Sequence, residues 1–433
     1  MGEHKGEVPF RELRITPEEQ SGMETTEEQP VISSITLECL NARQMYLKTD
    51  NRKSSLKSNS PTDNSILSAL SELSLDTRPD ADDSSDGDEK EEDYGNVDRF
   101  GFIVVASGRS PYEETKDEDQ IRKEQERRGR KEARRSLKWV SMLARLEGAH
   151  ISKWHQEHRK FGSRLIKGVP ESLRTKVWSS FLQLSVPEPT FESRFRQLYL
   201  RCSGFERQID LDIERTLRDH VQFRARFSLA QVSLFKVLVA YSNHDPDVGY
   251  CQGMSTIAAF LLLYFEEATA FQALVALFER DQTRRLFLAG FPLLFETFHV
   301  QEALLRKLLP RVKARLDFLG IPPSVYATRW YLTLFLGFPF ALSTRIWDLY
   351  LLFGLDFLVC VALALLKVKE DLLLSSEYEH CMQLLSKLAE TPLDEERIIR
   401  VACAIWKRLG DKNNVFERLR TQFRDLKDAK GGK

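Results

Sequence analysis

Arg215 and Gln252 are the two residues of this sequence whose local settings point most clearly to chemistry. Arg215 lies in the segment IDLDIERT, in which Asp212 precedes it by three residues. On a helix this spacing places both side chains on one face, so the carboxylate can orient the guanidinium. The sequence therefore predicts a positioned arginine, and its guanidinium is charged at any physiological pH.

The glutamine lies in the segment GYCQGMS, which follows the turn-forming residues His244–Asp247. Asp247 is predicted to cap a helix that begins near residues 249–253. Gly249 and Gly253 flank Gln252, and glycines at such positions indicate that the backbone closely approaches a neighbour. The amide of Gln252 is therefore expected beside a close backbone contact.

Other common chemistry is not supported by the sequence. It contains no G-x-x-x-x-G-K-[ST] loop, no G-x-G-x-x-G turn and no G-x-S-x-G elbow, so neither a nucleotide site of its own nor a serine hydrolase is expected. His150, His155 and His158 have spacings and neighbours that do not favour a metal site. Cys251 has no convincing histidine partner in the sequence, which favours a small buried thiol over a nucleophile.

The composition is that of a globular chain without a strong net charge. Its 433 residues are 42% hydrophobic and carry a formal net charge of -1, which gives no global attraction to nucleic acid. The first residues, MGEHKGEVPF, do not resemble a signal peptide, which fits a cytoplasmic protein. Reduced thiols are expected because no C-x-x-C pair occurs among six scattered cysteines, Cys39, Cys202, Cys251, Cys360, Cys381 and Cys403.

Residues 1–95 are predicted to be a largely disordered extension that is acidic and rich in serine. Its acidic run at residues 80–93 surrounds Ser84 and Ser85, which could accept phosphate, although a solvated linker is the simpler explanation. We also expect that this acidic run and the basic stretch at residues 122–138 modulate recruitment or autoinhibition.

Residues 96–166 are predicted to be a docking strip followed by a basic helical linker. The apolar cluster Asp98–Ile103 is expected to dock on the domain as an extended strip. Residues 117–146 have a helical pattern that becomes apolar towards its end, at Leu137, Trp139, Val140, Leu143 and Leu146. This helix either docks its second half on the domain or touches anionic lipid. Docking is favoured because three acidic residues dilute the positive face, Glu124, Glu126 and Glu132.

A folded helical domain is predicted over residues 167–372, with Ser172 as the cap of its first helix. Helical periodicity repeats from there to Phe423, and many segments are apolar throughout, which indicates a large all-α, multi-helix domain. Residues 373–433 are predicted to add further helices and a short polar tail, with core contacts at Trp406, Leu409 and Phe416.

One apolar segment, Leu349–Leu366, approaches the length that a bilayer requires. Gly354 and Asp356 interrupt it, so a turn followed by a buried helix is the favoured interpretation. A membrane protein built on this segment would need a buried partner for Asp356.

Three motifs in order give the chain its resemblance to the TBC domain, the all-helical catalytic module of Rab GTPase-activating proteins, and within that family to the RN-tre-like subgroup. The motif G-x-P-x-x-x-R-x-x-x-W is followed by I-x-x-D-x-x-R and by Y-x-Q. Their residues are Gly168, Pro170, Arg174 and Trp178, then Ile209, Asp212 and Arg215, then Tyr250 and Gln252. Later features also match, at Arg329-Trp330 and at Arg345–Asp348 followed by Gly354. The resemblance is strong over residues 167–371 and weaker over residues 98–167.

The resemblance implies that Arg215 and Gln252 act in trans as catalytic fingers on the GTP of another protein. Arg215 would neutralise developing charge, and Gln252 would hold the attacking water. Asp212 would orient Arg215, and Tyr250 would shape the loop of Gln252. The supporting positions implied by the resemblance are Asp212, Tyr250, Ile209 and Arg174. For Arg174 and Trp178 a structural role is favoured, and four later residues are expected to be core or inter-helix contacts, Arg329, Trp330, Trp347 and Asp348.

The implied partner is a Rab-family small GTPase in its GTP form, and the implied process is vesicle trafficking. No cofactor is expected, since Mg²⁺ and GTP are carried by the partner. Nucleic acid is not expected as a partner, and membrane association at endosomal or Golgi membranes would be peripheral and through the GTPase. The alternative is a catalytically silent TBC-like scaffold or Rab-binding adaptor. The identity of the Rab and the oligomeric state stay open.

Overall fold

The computed structural model describes residues 43–48, 97–103, 118–146, 154, 160–184, 189–409 and 414–431. Several expectations lie outside these residues, namely those for the acidic run at 80–93, Cys39, His150, His155 and His158. The division of the chain into domains also stays a prediction.

The described residues are predominantly helical. The α-helices, in chain order, are 43–48 (α1), Glu118–Leu146 (α2), Phe161–Ile166 (α3), Arg174–Leu182 (α4), Pro189–Leu200 (α5), Glu206–Arg215 (α6), Val221–Arg224 (α7), Leu229–His244 (α8), Met254–Leu262 (α9), Glu267–Glu279 (α10), Pro292–Leu308 (α11), Pro310–Phe318 (α12), Pro323–Tyr326 (α13), Thr328–Leu332 (α14), Phe340–Phe353 (α15), Leu355–Val368 (α16), Glu370–Ser375 (α17), Tyr378–Ser386 (α18), Glu395–Leu409 (α19) and Val415–Gly431 (α20). Short 3₁₀ segments span Glu171–Leu173, Arg280–Leu286 and Leu388–Glu390. Within the described part of the chain, β-pairing is limited to two isolated bridges, which confirms the predicted all-α fold.

Helices α8 and α16 form the centre of the domain. Residues 231–242 of α8 are buried without interruption, and so are residues 357–366 of α16. Helix α8 packs against α5, α6, α9 and α10, whereas α16 packs against α11, α15 and α19. Full burial of a Val or Leu side chain contributes about 1.5–3 kcal/mol. Helices that are apolar on most of their circumference therefore occupy these surrounded positions.

Helix α1 is an exception to the disorder predicted for residues 1–95. Tyr46 is fully buried, and its ring stacks on Phe235 with a centroid distance of 4.3 Å. Its hydroxyl donates a hydrogen bond of 2.7 Å to Asp210 of α6, and Arg43 forms an ion pair with the same helix. An aromatic ring and an ion pair thus hold residues 43–48 on the domain.

The apolar segment Leu349–Leu366 forms the end of α15, a break at Gly354 and most of α16, as predicted. Gly354 has a φ of +81°, which L side chains rarely adopt, so the chain can turn there. Each of the two helices has 14 residues, and Asp356 pairs with Arg420 of α20. No described helix combines the length and the apolar composition needed to cross a bilayer.

The basic helix α2 docks through the second half of its length, as the favoured alternative predicts. Trp139, Leu143 and Leu146 are buried on the domain. Leu137 and Val140 are 72% and 52% exposed, so their predicted place in the docked face is wrong. The reason is helical geometry, because neither residue lies three, four or seven positions from Trp139.

The end of the domain contains α18, α19 and α20, in agreement with the predicted C-terminal helices. Leu409 and Phe416 are buried, and Trp406 packs against the core from a partly buried position. Helix α20 continues to Gly431, so helical structure covers most of the predicted polar tail.

Asp348 of α15 joins the start of the domain to its centre. Its fully buried carboxylate accepts hydrogen bonds from Arg174 Nε at 3.1 Å, Trp178 Nε1 at 3.0 Å and the backbone N–H of Val169 at 2.9 Å. Arg174 is also buried, and Trp178 is fully buried. These residues thus form the internal salt bridge and the core indole that the structural interpretation of the sequence expects.

The first helix of the domain has a different cap from the predicted one. Ser172 lies inside the 3₁₀ segment, and α4 begins after Leu173 without a side-chain cap. The predicted capping role of Ser172 is therefore wrong, because the 3₁₀ turn supplies the lead into α4.

We predict that Asp348→Ala lowers the free energy of unfolding by about 3–5 kcal/mol, because it leaves the buried Arg174 guanidinium without its main charge partner. Urea denaturation measures this change. The matched control is Glu396→Ala, which breaks the partly exposed ion pair with Arg345. That control is expected to cost less than about 1 kcal/mol. Equal costs for the two variants would contradict the prediction.

The strip at residues 97–103 docks as predicted, although its backbone reverses instead of staying extended. Val97 pairs with Ile103, and Phe102 pairs with His220. Phe100 and Phe102 both pack against the ring of Phe340. An aromatic contact and one bridge therefore hold the strip on the domain.

His220 fastens this strip in its neutral form. Its Nε2 donates to the carbonyl of Phe100 at 2.9 Å, and its Nδ1 accepts from the backbone N–H of Gln222 at 3.2 Å. Burial is the main cause that lowers the pKa of His220 below its ordinary value. Protonation would remove the acceptor at Nδ1 and place a charge in a buried position.

We predict that mild acid loosens the strip. The contribution of neutral His220 is complete above its unfolded pKa of about 6.5 and is lost as the pH falls through the lower folded pKa. The protection of the amides of residues 97–103, which is their exchange rate relative to the intrinsic rate at the same pH, should fall between about pH 7.5 and 5.5. The exposed His380, changed to Gln, is the control and should leave this pH dependence intact. Equal protection at both pH values in the unchanged protein would refute the idea.

Candidate functional site

Arg215 is the last residue of α6. The buried face of this helix carries Ile209, Asp212 and Ile213, whose spacing of three and four residues is that of an amphipathic helix. The side chain of Arg215 is 62% exposed, whereas that of Asp212 is 5% exposed. The helix therefore exposes the guanidinium of Arg215 to solvent, while the carboxylate of Asp212 that pairs with it is buried in the core.

Asp212 connects the two sequence motifs. One carboxylate oxygen accepts a hydrogen bond from Arg215, which confirms the predicted pairing, and the other accepts from the hydroxyl of Tyr250. Burial, followed by the bond to Asp212, raises the pKa of Tyr250 well above its ordinary value, so the hydroxyl stays a donor. Each oxygen of one buried carboxylate thus holds a residue of a different motif.

A second link joins the end of α6 to the start of α9. The hydroxyls of Thr216 and Ser255 are 2.9 Å apart and hydrogen-bonded, and Thr216 also donates to the carbonyl of Asp212 at 2.6 Å. Leu217 follows with a φ of +48°, an unusual value for a residue other than glycine. The chain therefore turns sharply directly after Arg215, and this turn is tied to the motif of Gln252.

Gln252 lies in an exposed turn, and helix α9 begins only at Met254. The helix therefore begins one residue after the predicted region 249–253, and its N-cap is Gly253, so the predicted capping by Asp247 is wrong. Gly253 has a φ of +104°, and a Cβ at this position would lie 2.8 Å from the carbonyl oxygen of Leu332. This close approach confirms the predicted backbone contact and shows why a glycine follows Gln252.

The other flanking glycine packs at the opposite end of α6. A Cβ on Gly249 would lie 2.2 Å from the ring of Phe205, the residue that precedes α6. Tyr250 meets Asp212 near the end of the same helix. The loop that carries Gln252 therefore lies along α6, from its first residues to the region of Arg215.

Arg284 anchors the beginning of this loop, and the sequence interpretation missed it. Its guanidinium donates to both carboxylate oxygens of Asp245, at 2.5 and 2.7 Å, and to Asp247 at 2.9 Å. Burial raises the pKa of Asp245, but the bonds and charge of Arg284 outweigh it and leave this pKa below its ordinary value. Asp247 therefore serves as an ion partner and not as a helix cap. The acidic turn itself was the available signal, because two carboxylates two residues apart attract a nearby cation.

Cys251 has the properties of a structural thiol. It is partly buried, and burial followed by the charge of Asp212 raises its pKa, so the thiolate is disfavoured at neutral pH. Among the described residues, no group of three or more His, Cys, Asp or Glu side chains is arranged to hold a metal ion.

The motif residues before Ile209 and after Gln252 lie outside the Asp212 network. Arg174 belongs to the network of Asp348, and its described side-chain hydrogen bonds do not reach Asp212 or Tyr250. Trp330 and Trp347 are buried as expected. Arg329 is exposed, so it is not a core contact, whereas an inter-helix contact, the other half of that prediction, stays untested. It lies on α14 three residues before Leu332, whose carbonyl meets Gly253.

We predict that Tyr250→Phe loosens the loop of Gln252 while leaving the fold intact. The variant keeps the ring but removes the hydrogen bond to the Asp212 carboxylate, which is worth about 1.5–3 kcal/mol for a charged acceptor. Amide exchange of residues 245–253 should accelerate. The matched control is Tyr264→Phe, because its hydroxyl donates to the carboxylate of Glu171 outside this site. If the amides of residues 245–253 exchange at the same rate in both variants, the hydrogen bond from Tyr250 to Asp212 does not hold this loop.

Comparison with known proteins identifies relatives of this chain. A family model described as the Rab-GTPase-TBC domain matches residues 171–374. A TBC domain-containing protein of Schizosaccharomyces pombe is 35% identical over 296 residues, which cover 66% of this chain and 70% of that protein. Rab GTPase-activating protein tbc-11 of Caenorhabditis elegans is 34% identical, and the match covers 53% of this chain and 25% of that protein. The human Ecotropic viral integration site 5 protein homolog is 31% identical, with coverages of 59% and 32%. The chain thus spans a third or less of the length of the latter two proteins.

Two solved structures share the fold. The Chlamydomonas flagellar RabGAP TBC domain aligns with a TM-score of 0.54 at 23% sequence identity, covering 71% of this chain and 98% of that one. The Ypt/Rab-GAP domain of Gyp1p aligns with a TM-score of 0.50 at 19% identity, covering 57% of this chain and 91% of that one. At these identities the likeness concerns the fold alone.

Proposed function

Because the chain belongs to the Rab-GTPase-TBC domain family, we propose that it is a GTPase-activating protein for a Rab-family small GTPase in its GTP form. One of its relatives carries the name of a Rab GTPase-activating protein. The observation that carries the proposal is the shared carboxylate of Asp212, which bonds to Arg215 and to Tyr250. This contact makes one assembly of two motifs that both end in an exposed polar side chain.

Arg215 would supply charge stabilisation during phosphoryl transfer. Negative charge develops on the phosphate oxygens in the transition state, and a guanidinium fork can donate two hydrogen bonds to them. The exposed guanidinium is paired with the buried carboxylate of Asp212, and this arrangement suits insertion into a partner's active site, since little ordering of the helix remains to be done. Such an arginine contributes on the order of 10³ to 10⁵ in rate.

Gln252 would position the attacking water. Its amide offers both a donor and an acceptor, which is what orienting a water towards a phosphate requires. Arg284 and Gly253 support this role, since they fix the two ends of the turn that presents the amide. Without such fixed ends the amide would lose its geometry, and misplacement by about 1 Å can cost about 100-fold in rate.

The proposed activator needs no cofactor of its own, because the partner carries both Mg²⁺ and GTP. The protein would act in the cytoplasm in vesicle trafficking, recruited peripherally to endosomal or Golgi membranes. Leu211, which is 58% exposed one turn before Arg215, offers an apolar contact for the GTPase beside the proposed arginine finger.

We predict that Arg215→Lys lowers the stimulated rate of GTP hydrolysis by at least about 100-fold, because a lysine keeps the charge but lacks the planar fork. Single-turnover hydrolysis with a panel of purified, GTP-loaded Rab proteins measures the rate. Gln252→Ala should also remove most of the stimulation. The matched controls are Arg218→Lys and Gln197→Ala, since both side chains are exposed outside the Asp212 network.

The same panel separates the enzyme activator from a catalytically silent scaffold. An activator loses rate in the Arg215→Lys variant but still binds its Rab, whereas Leu211→Asp should weaken binding itself. If no Rab is stimulated although one binds, the scaffold is the correct description. If a Rab is stimulated equally by the unchanged protein and by Arg215→Lys, the arginine finger is refuted.

A further inference from the structure

A cationic groove lies between α2 and α3, outside the network of Asp212. It has a volume of about 970 Å³. Among the lining residues whose side chains the structure describes, ten are basic and one is acidic, Glu126. The basic residues are Lys123, Arg127, Arg130, Lys131, Arg134, Arg135, Lys138, Lys160, Arg164 and Lys167. We call these residues the cationic groove.

Internal ion pairs neutralise few of these charges. Arg130 pairs with Glu126, and Arg135 pairs with Glu132, both at 3.4 Å. Within the described part of the chain, six other cations of the groove form no ion pair: Lys123, Arg127, Lys131, Arg134, Lys138 and Lys167. Like charges this close repel each other over a Debye length of about 8–10 Å. A concave surface of this kind lowers its free energy when it binds a polyanion.

The wall of the groove has a fixed structure, because contacts between α2 and α3 hold it in place. Arg164 of α3 donates a hydrogen bond of 2.6 Å to the carbonyl of Lys138, which fixes α3 against α2. Trp139 lines the groove and is fully buried, and its indole N–H has no hydrogen-bond partner among the described residues. A buried donor without an acceptor costs about 1–3 kcal/mol. The groove therefore combines a fixed wall with an indole N–H that lacks an acceptor.

Exposed apolar residues accompany the cations on the same helix. Leu137 and Val140 are 72% and 52% exposed, and Leu137 follows Arg134 by three residues on the same face of α2. A helix that presents basic and apolar residues together to solvent is typical of a membrane surface, where cations meet headgroups and apolar side chains enter the interface. An acidic peptide would satisfy the cations but would leave these apolar side chains in water.

We propose that the cationic groove is a membrane-docking site that binds anionic lipid headgroups with more than one phosphate. Guanidinium forks recognise phosphate bidentately, and clusters of four to eight basic residues beside a membrane suit polyphosphorylated inositol lipids. The groove encloses a headgroup instead of only attracting a charged surface. Leu137 and Val140 enter the interface beside it. The activator would thereby reach its membrane without help from the GTPase.

The test is sedimentation of the full chain with three kinds of phosphatidylcholine vesicle. One kind contains no other lipid, one contains phosphatidylserine, and one contains phosphatidylinositol 4,5-bisphosphate at the same total negative charge. We expect binding to the third kind above the other two. The variant Lys131→Ala/Arg134→Ala should weaken this binding by about 30-fold, since each basic residue contributes about 1 kcal/mol near an anionic surface.

Matched controls isolate the groove. Arg196→Ala/Lys427→Ala removes two exposed cations outside the groove and should bind vesicles as the unchanged protein does. Leu137→Ser/Val140→Ser should weaken vesicle binding without any loss of positive charge. Stimulation of GTP hydrolysis in solution without vesicles should be unchanged in the groove variant, so this proposal and the proposed function can fail separately.

Three outcomes would overturn the proposal. The first is equal binding of the unchanged protein and the Lys131→Ala/Arg134→Ala variant. The second is equal binding to the phosphatidylserine vesicles, which would indicate bulk charge without headgroup recognition. The third is absence of vesicle binding together with binding of a peptide of residues 80–93, which carries nine acidic residues and one lysine. That result would identify the groove as a contact for the chain's own acidic run.

Discussion

The carboxylate of Asp212 is the group on which the candidate site depends. A buried carboxylate is stable only when its oxygens are satisfied, because desolvation of a charge is costly. Here the donors are Arg215 and Tyr250, which come from two segments of the chain. The requirement to satisfy one buried charge therefore forces the end of α6 and the loop of Gln252 to lie together. The position of the exposed Arg215 guanidinium is therefore set by its hydrogen bond to the buried carboxylate of Asp212.

The loop of Gln252 is held by contacts at both ends and needs no regular structure of its own. Arg284 binds the acidic turn at its start, and the carbonyl of Leu332 lies against Gly253 at its end. Gly249 packs on the ring of Phe205 between these points. A loop with fixed ends loses little conformational entropy on binding, which is the property that the water-positioning role proposed for Gln252 would require. Rigid surroundings thus replace a helix as the support of this residue.

Local spacing explains which parts of the site could be predicted. Asp212 and Arg215 lie three residues apart on one helix, so their pairing could be predicted from the sequence. The bond from Tyr250 to Asp212 spans 38 residues, and that from Arg284 to Asp245 spans 39, so packing alone determines them. The helix cap predicted at Asp247 was wrong for a related reason, since the N-cap is Gly253. Gly253 adopts its positive φ against Leu332, a residue that no local pattern brings near.

Helix α2 shows how two sequence interpretations can describe one element. Trp139, Leu143 and Leu146 bury one face, which stabilises the fold and satisfies the docking alternative. Leu137 and the seven cations that α2 contributes to the groove lie outside this buried face, where burial gives no reason for their presence. Ten cations around one groove repel each other, and a docked face needs only the apolar stripe. Because α2 carries both a buried apolar face and a cationic face, docking of the apolar face holds the cationic face in a fixed position.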